Sequence, residues 1–305
     1  MLSSAGSRPA ASPREVVMGP FLDPFLENEF LVRALLAGVL VSISCAIVGT
    51  FVVLRGLAFI GDALAHGVLP GIAGALLLGL PGMVGATVGA LAMIAGVSLI
   101  TRRSRLSSDT AIGLLFVAML ALGVVMVSSS SSFAGDLVGI LFGQILGTSV
   151  ESLAVQAAAT VVVGGVAFVC ARPFLLLSFD PEQADVAGFP SRRYHAIMLL
   201  LVALTVIVSF QTVGTLLVFG MLLAPAGAAA LLAHRVGAMM AIGAVIGAIS
   251  SYVGLLISYH FDVAAGATMV LVASAIFFAV LAGTNIRERL TADGRGPDAP
   301  ATGPL

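Results

Sequence analysis

Asp62 and His66 are the residues of this chain whose types and spacing could do chemistry. They stand four positions apart in Gly61-Asp62-Ala63-Leu64-Ala65-His66-Gly67, inside a nearly unbroken apolar stretch. On a helix that spacing puts both on one face, about one turn apart. Asp supplies a hard oxygen, and a neutral imidazole nitrogen suits first-row transition metals. Ionisable groups inside a membrane segment are costly and tend to line cavities or pathways. The pair could hold a divalent cation part-way across a bilayer. A plainer reading fits the same residues: Gly61-Asp62 could cap a helix start, and His66 could hydrogen-bond a neighbouring helix.

The elements that must position this pair are set by composition. Of 305 residues, 59% are hydrophobic and only 10% charged, with mean hydropathy +1.14. Soluble domains carry about 25% charged residues, so the deficit implies an all-α, polytopic membrane protein. Thirty-five glycines suit closely packed membrane helices. Net charge −1 gives no basis for nucleic acid binding. Cys45 and Cys170 sit in apolar runs without partner spacing and are expected to be packing residues. All fourteen basic residues are Arg. A phosphate-binding Walker A loop needs its Lys, so any ATP-driven function requires a separate ATPase subunit.

Three regions are expected: a polar N-terminal segment over 1–28, a transmembrane domain over 29–285, and a disordered tail over 286–305, rich in Gly, Pro, Ala and Asp from 291 onward. Residues 1–20 are broken by Pro9, Pro13 and Pro20 and do not have a signal-peptide pattern.

A bilayer-crossing helix needs about 20 mostly apolar residues. Nine runs qualify, near 33–54, 58–80, 83–101, 110–128, 152–170, 194–210, 213–233, 237–259 and 263–283. The stretch 136–147 is too short to cross and reads as a half-helix or an interfacial helix. Single crossings put Arg55, Arg102, Arg103, Arg105, Arg172, Arg192, Arg193, Arg235, Arg287, Arg289 and Arg295 on one side, which is then cytoplasmic. The opposite loops carry Asp136, Glu151, His260 and Asp262 and no Arg. This places the N-terminus outside, against the charge of Arg8, Arg14 and Arg33. An eight-span variant with one re-entrant run removes that conflict. Gly85-x-x-x-Gly89 and Gly243-x-x-x-Gly247 match small-xxx-small packing, within a subunit or across a dimer. Ser128 to Ser132 reads as a flexible outer loop.

The longest inner connection, Arg172 to Arg193, predicts a short helix at its centre. Asp180 suits the cap, Pro181 the first helical position, Glu182 the first turn, and Gly188 the stop. Phe179, Val186 and Phe189 supply apolar contacts, and such a helix could insert into a groove on a partner. An ordinary interfacial loop helix has the same pattern.

Together these parts resemble the permease family of ABC importers for manganese, zinc and iron. The resemblance rests on Val53-Leu54-Arg55-Gly56-Leu57-Ala58-Phe59-Ile60 running through Gly61–Gly67 to Val68-Leu69-Pro70-Gly71. It rests also on the loop from Ser178-Phe179-Asp180 to Gly188, and on Gln211-Thr212-Val213-Gly214-Thr215-Leu216-Leu217-Val218 through Leu223-Ala224-Pro225-Ala226. It covers about residues 25–285, with three motifs in order. Gly67 departs from the family's frequent Ala. Similar permeases occur in actinobacteria beside surface-anchored repeat proteins, a setting that the Arg-only composition suits.

The resemblance implies a type II ABC importer permease in the plasma membrane, with about eight or nine spans. Asp62 and His66 would contact the metal in the translocation path. The loop over 178–190, with Phe179, Asp180, Glu182, Asp185, Val186 and Gly188, would couple to a cytoplasmic ABC ATPase. The permease itself would hold no cofactor; the metal is cargo and ATP belongs to the partner. An extracytoplasmic metal-binding protein would deliver the ion, and the motifs do not name the metal.

One Asp–His pair offers too few ligands for tight binding, which suits transport. A two-fold homodimer would double it. The rival is an ion-coupled secondary carrier or channel using the same pair. An intramembrane hydrolase fares badly, because the sequence has no His-Glu-x-x-His and no serine or cysteine with an evident base beside it. His195, His234 and His260 fall near span ends, where interfacial or capping roles are expected, although His260 with Asp262 could attract cations at the outer mouth.

Overall fold

A computed structural model describes residues 21–128 and 143–293. The half-helix expected over 136–147 and the tract Ser128 to Ser132 fall largely outside these residues. Everything regular in the described chain is helical, as a bilayer demands of backbone that must satisfy its own hydrogen bonds. The helices are α1 (Glu29–Leu54), α2 (Ala58–Leu77), α3 (Gly82–Arg103), α4 (Ser108–Ser128), α5 (Val150–Val169), α6 (Ala171–Phe179), α7 (Pro181–Val186), α8 (Ser191–Val213), α9 (Thr215–Leu232), α10 (Val236–Phe261) and α11 (Ala265–Asp293). A 3-10 turn, Ile145–Gly147, precedes α5.

Among the described residues, eight helices are long and apolar enough to cross a membrane. The seventh sequence run, near 213–233, is the exception. Its helix α9 starts only after Gly214, whose φ of 93° breaks the chain at the end of α8. Phe210 and Thr212 share a cavity with Leu76 and Gly82 of the outer α2–α3 turn. Val236 shares another with Ala171 and Arg172 at the inner end. The short α9 therefore carries the chain from the outer end to the inner end, and the parity of nine runs is kept.

α1 and α8 are the most enclosed of the spans and α4 the least. The core lies where α1, α2, α8 and α9 meet, around Val41, Val48, Leu64, Val68, Val202 and Met221. Hydroxyls inside the bundle bond back along their own helix, as Ser42 Oγ does to the Gly38 carbonyl at 2.7 Å and Thr50 to Ala46 at 2.7 Å. Others cross between helices, Ser44 to Thr160 at 2.8 Å and Ser42 to Ser251 at 3.2 Å.

Both glycine pairs pack inside one subunit. A Cβ at Gly71 would fall 2.1 Å from the Gly85 carbonyl oxygen, and one at Gly89 2.7 Å from that of Gly67. Likewise a Cβ at Gly247 would meet Ser42 Cβ at 2.7 Å. Side chains at these points would push α3 off α2 and α10 off α1.

Helix extends past the expected transmembrane domain at both ends. Residues 21–27, expected within the polar N-terminal segment, are helical. Phe25 stacks on Tyr252 at 5.2 Å between ring centroids, and the Tyr252 hydroxyl donates to the Phe21 carbonyl at 3.0 Å. At the other end α11 runs to Asp293, beyond the expected tail start at 286. Arg33, whose charge opposed the sequence-based orientation, forms an ion pair with Glu29 one turn before it.

Candidate metal pathway and coupling surface

α2 presents Asp62 and His66 because its other faces are committed. A Cβ at Gly61 would lie 2.9 Å from Leu222 of α9, and one at Gly67 3.2 Å from Met93 of α3. The pair occupies the face towards α4, where the His66 ring packs edge-on against Phe116 at 5.0 Å. Neither residue caps the helix, which begins at Ala58.

His66 Nδ1 lies 3.0 Å from the Asp62 carbonyl oxygen and 3.3 Å from Asp62 Oδ1. A carbonyl oxygen only accepts, so Nδ1 carries the proton and donates. In the neutral ring Nε2 then keeps its lone pair, the form a metal needs. The Asp62 side chain is 30% exposed and that of His66 13%, so the carboxylate is reachable from one side of the subunit. Pro70 alters the backbone one turn further on. It has no N–H to give to the His66 carbonyl four residues back, which leaves that oxygen without its helical donor. Sequence reasoning passed over Pro70, although its spacing from His66 was the signal. Among the described residues no cluster of three or more His, Cys, Asp or Glu could hold a metal. One chain therefore supplies two side-chain ligands, not a closed site.

The inner loop forms the expected helix. Asp180 Oδ1 accepts from Glu182 N at 2.9 Å and Gln183 N at 3.0 Å, Pro181 opens α7, and Gly188 ends it with φ 84°. Phe179 and Val186 are 76% and 90% exposed, an apolar pair without cover in the single chain. Asp185 turns back instead. Its Oδ1 accepts from Ser191 N at 2.7 Å and its Oδ2 from Ser191 Oγ at 2.9 Å. Those bonds hold its carboxyl below the usual carboxylate range, and they brace α7 on the start of α8. Phe189 adds an aromatic series that the sequence did not reveal. Its ring meets Tyr194 at 5.7 Å, Tyr194 meets Phe174 at 6.4 Å, and Phe174 meets Phe51 of α1 at 5.2 Å.

Two other histidines are engaged by protein groups. His195 Nδ1 accepts from Arg55 Nη1 at 2.8 Å. His260 Nδ1 lies 2.9 Å from the Leu256 carbonyl oxygen and its ring packs on Tyr259. Asp262 caps α10 in a left-handed conformation with φ 51°. Neither His260 nor Asp262 is among the residues lining the outer cavity. That cavity, of about 500 Å³, is lined by Gln144, Thr148, Ser152, Gln211 and Thr212. The Gln144 N–H donates to the Gln211 carbonyl at 3.2 Å, closing the 3-10 segment onto the end of α8. These uncharged oxygen and amide groups can take the place of hydration water around a cation.

Comparison with known proteins agrees with this architecture. The manganese transport system membrane protein MntC of Halalkalibacterium halodurans is 38% identical over 257 residues, covering 84% of this chain and 88% of that one. A probable iron transport system membrane protein of Haemophilus influenzae is 38% identical over 268 residues, covering 88% and 98%. The solved structure described as PsaBC from Streptococcus pneumoniae in complex with Fab superposes with TM-score 0.78 at 35% identity, over 86% of this chain and 95% of that one. The model of the ABC 3 transport family matches residues 27–284, so the chain belongs to that family.

Proposed function

We propose that this chain is the membrane-embedded half of an ATP-driven importer that moves a divalent first-row metal ion, manganese first among them, through a path bordered by Asp62 and His66. The observation that carries the proposal is the pair itself. A carboxylate and an imidazole with its Nε2 lone pair free stand on one helix face, and Pro70 leaves the His66 carbonyl without its helical donor. One nitrogen among oxygens, with no thiol in the set, favours Mn(II) over the softer preferences met by cysteine. The manganese and iron systems named among the relatives support the same class.

ATP is hydrolysed elsewhere, because the chain has no Lys for a phosphate-binding loop. The exposed Phe179 and Val186, held on the capped α7, are the contact offered to a cytoplasmic ATPase. The outer cavity of Gln144, Gln211 and Thr212 receives the ion from an extracytoplasmic binding protein. Membership in an ABC transport family leaves the ion-coupled carrier without support.

The test is metal uptake by the permease reconstituted with its ATPase, comparing Mn, Fe and Zn. Asp62→Ala and His66→Ala should each bring Mn uptake to background, with membrane insertion and ATPase association intact. Full uptake by both folded variants would remove the pair from the path.

A further inference from the structure

We propose that the seam between α3 and α8 binds an anionic phospholipid of the inner leaflet, its phosphate at a basic inner end and one acyl chain along the apolar stretch above. Two cavities of different chemistry follow one another along α3 and α8. At its inner end a cavity of about 640 Å³ is lined by Ser98, Thr101, Arg192 and His195 beside Ile94, Val97 and Leu199. Further outward along α3 and α8, with α5 as a third wall, about 520 Å³ is lined by Leu91, Val162, Leu200, Ala203 and Leu204 among others. Leu91 and Leu200 are 49% and 46% exposed, so the apolar stretch opens on the side of the subunit.

The inner end is built for an anion. Arg55 Nη1 donates to His195 Nδ1 at 2.8 Å. Because a guanidinium can only donate, His195 accepts at Nδ1 and has its Nε2–H left to give. Arg55 is half-buried, and among the described residues no carboxylate lies within ion-pair distance of Arg55, Arg192 or His195. Asp185, the acidic group that feels Arg192, is engaged by Ser191. The Arg192 guanidinium, the His195 imidazole and the Ser98 hydroxyl thus border one cavity, with Arg55 behind His195 and no acid paired to them among the described residues. A metal ion on its way inward would be repelled there. A free anion would leave the apolar stretch unexplained, whereas a phospholipid uses both ends, and basic pockets between helices on the cytoplasmic side are known to take anionic head groups.

The experiment is native mass spectrometry of the full-length permease solubilised from vesicles of equal phosphatidylglycerol and phosphatidylcholine. The wild type should retain phosphatidylglycerol selectively. Arg55→Gln with Arg192→Gln should lower that selectivity by about fivefold for each charge removed. Leu200→Trp should block the acyl stretch and lower retention of the lipid without changing charge, which keeps the test open if the double variant does not fold. Equal retention of both lipids by the wild type, or retention unmoved by the folded variants, would overturn the proposal. So would protection from thermal unfolding by inorganic phosphate as strong as by phosphatidylglycerol, which would mark a free-phosphate site. Cross-linking between copies through Leu91→Cys or Leu200→Cys in membranes would show a second copy filling the seam and overturn it equally.

Discussion

At the scale of single residues, the pair on α2 was legible because charge in an apolar run has a cost that use must offset. Asp62 and His66 stood out by type and spacing alone. What their spacing could not disclose is which imidazole nitrogen stays free. That depends on the 3.0 Å approach of Nδ1 to the Asp62 carbonyl, which only the folded helix defines. Pro70 was legible in principle, since a proline deprives the carbonyl four residues earlier wherever a helix runs through it. It gives a sharp prediction. Pro70→Ala restores the missing N–H, which will engage the His66 carbonyl. Helix stability should hold or rise, since proline is the poorest residue for a helix interior. Manganese transport should fall roughly fivefold, corresponding to about 1 kcal/mol for one oxygen withdrawn from the ion. Uptake kinetics and a thermal melt of the same preparation separate the two effects. A variant that transports normally and melts normally would show that the carbonyl takes no part.

Whole elements were read with uneven success, for physical reasons. The coupling helix was visible because its stop and start signals are local: Asp180, Pro181 and Gly188 act on their immediate neighbours. The nine hydrophobic runs did not reveal that one gives a shorter helix. Apolarity continues without pause through 213–233, and only the positive φ of Gly214 divides α8 from α9. The role of Asp185 was hidden too, because its partner Ser191 belongs to the next helix. Its carboxyl is held below the ordinary range, so the ionised form favours the native loop. That contribution is present above the unfolded-state value and is lost as pH falls through the native one. Replacing Asp185 and Val186 together with Gly should loosen α7 and remove an exposed apolar contact. The expected result is loss of ATPase copurification, or ATP hydrolysis no longer coupled to uptake, while the bundle stays folded. Unchanged copurification with unchanged coupling would assign the surface of α7 to something other than the ATPase.

For the molecule as a whole, the decisive quantity is ligand number. One subunit brings one carboxylate, one imidazole and one released carbonyl, and among its described residues no third acidic, thiol or imidazole side chain joins them. A divalent ion stripped of water needs more than that. The exposure of Asp62 shows where the remainder can come from, since the face of α2 that carries it is not sealed by its own chain. A second copy related by a two-fold axis adds an identical set at no cost in new sequence. We therefore expect the two Asp62–His66 pairs to border one central path in the assembled permease. A tandem fusion of two copies tests this without requiring a structure. With Asp62→Ala in one half only, a shared path loses a carboxylate from every site, and uptake should fall well below half of that shown by the unaltered fusion. Two independent paths would leave half the uptake intact, because the unaltered copy would work alone. A result at one half would return each pair to its own subunit and require the missing ligands to be water or backbone.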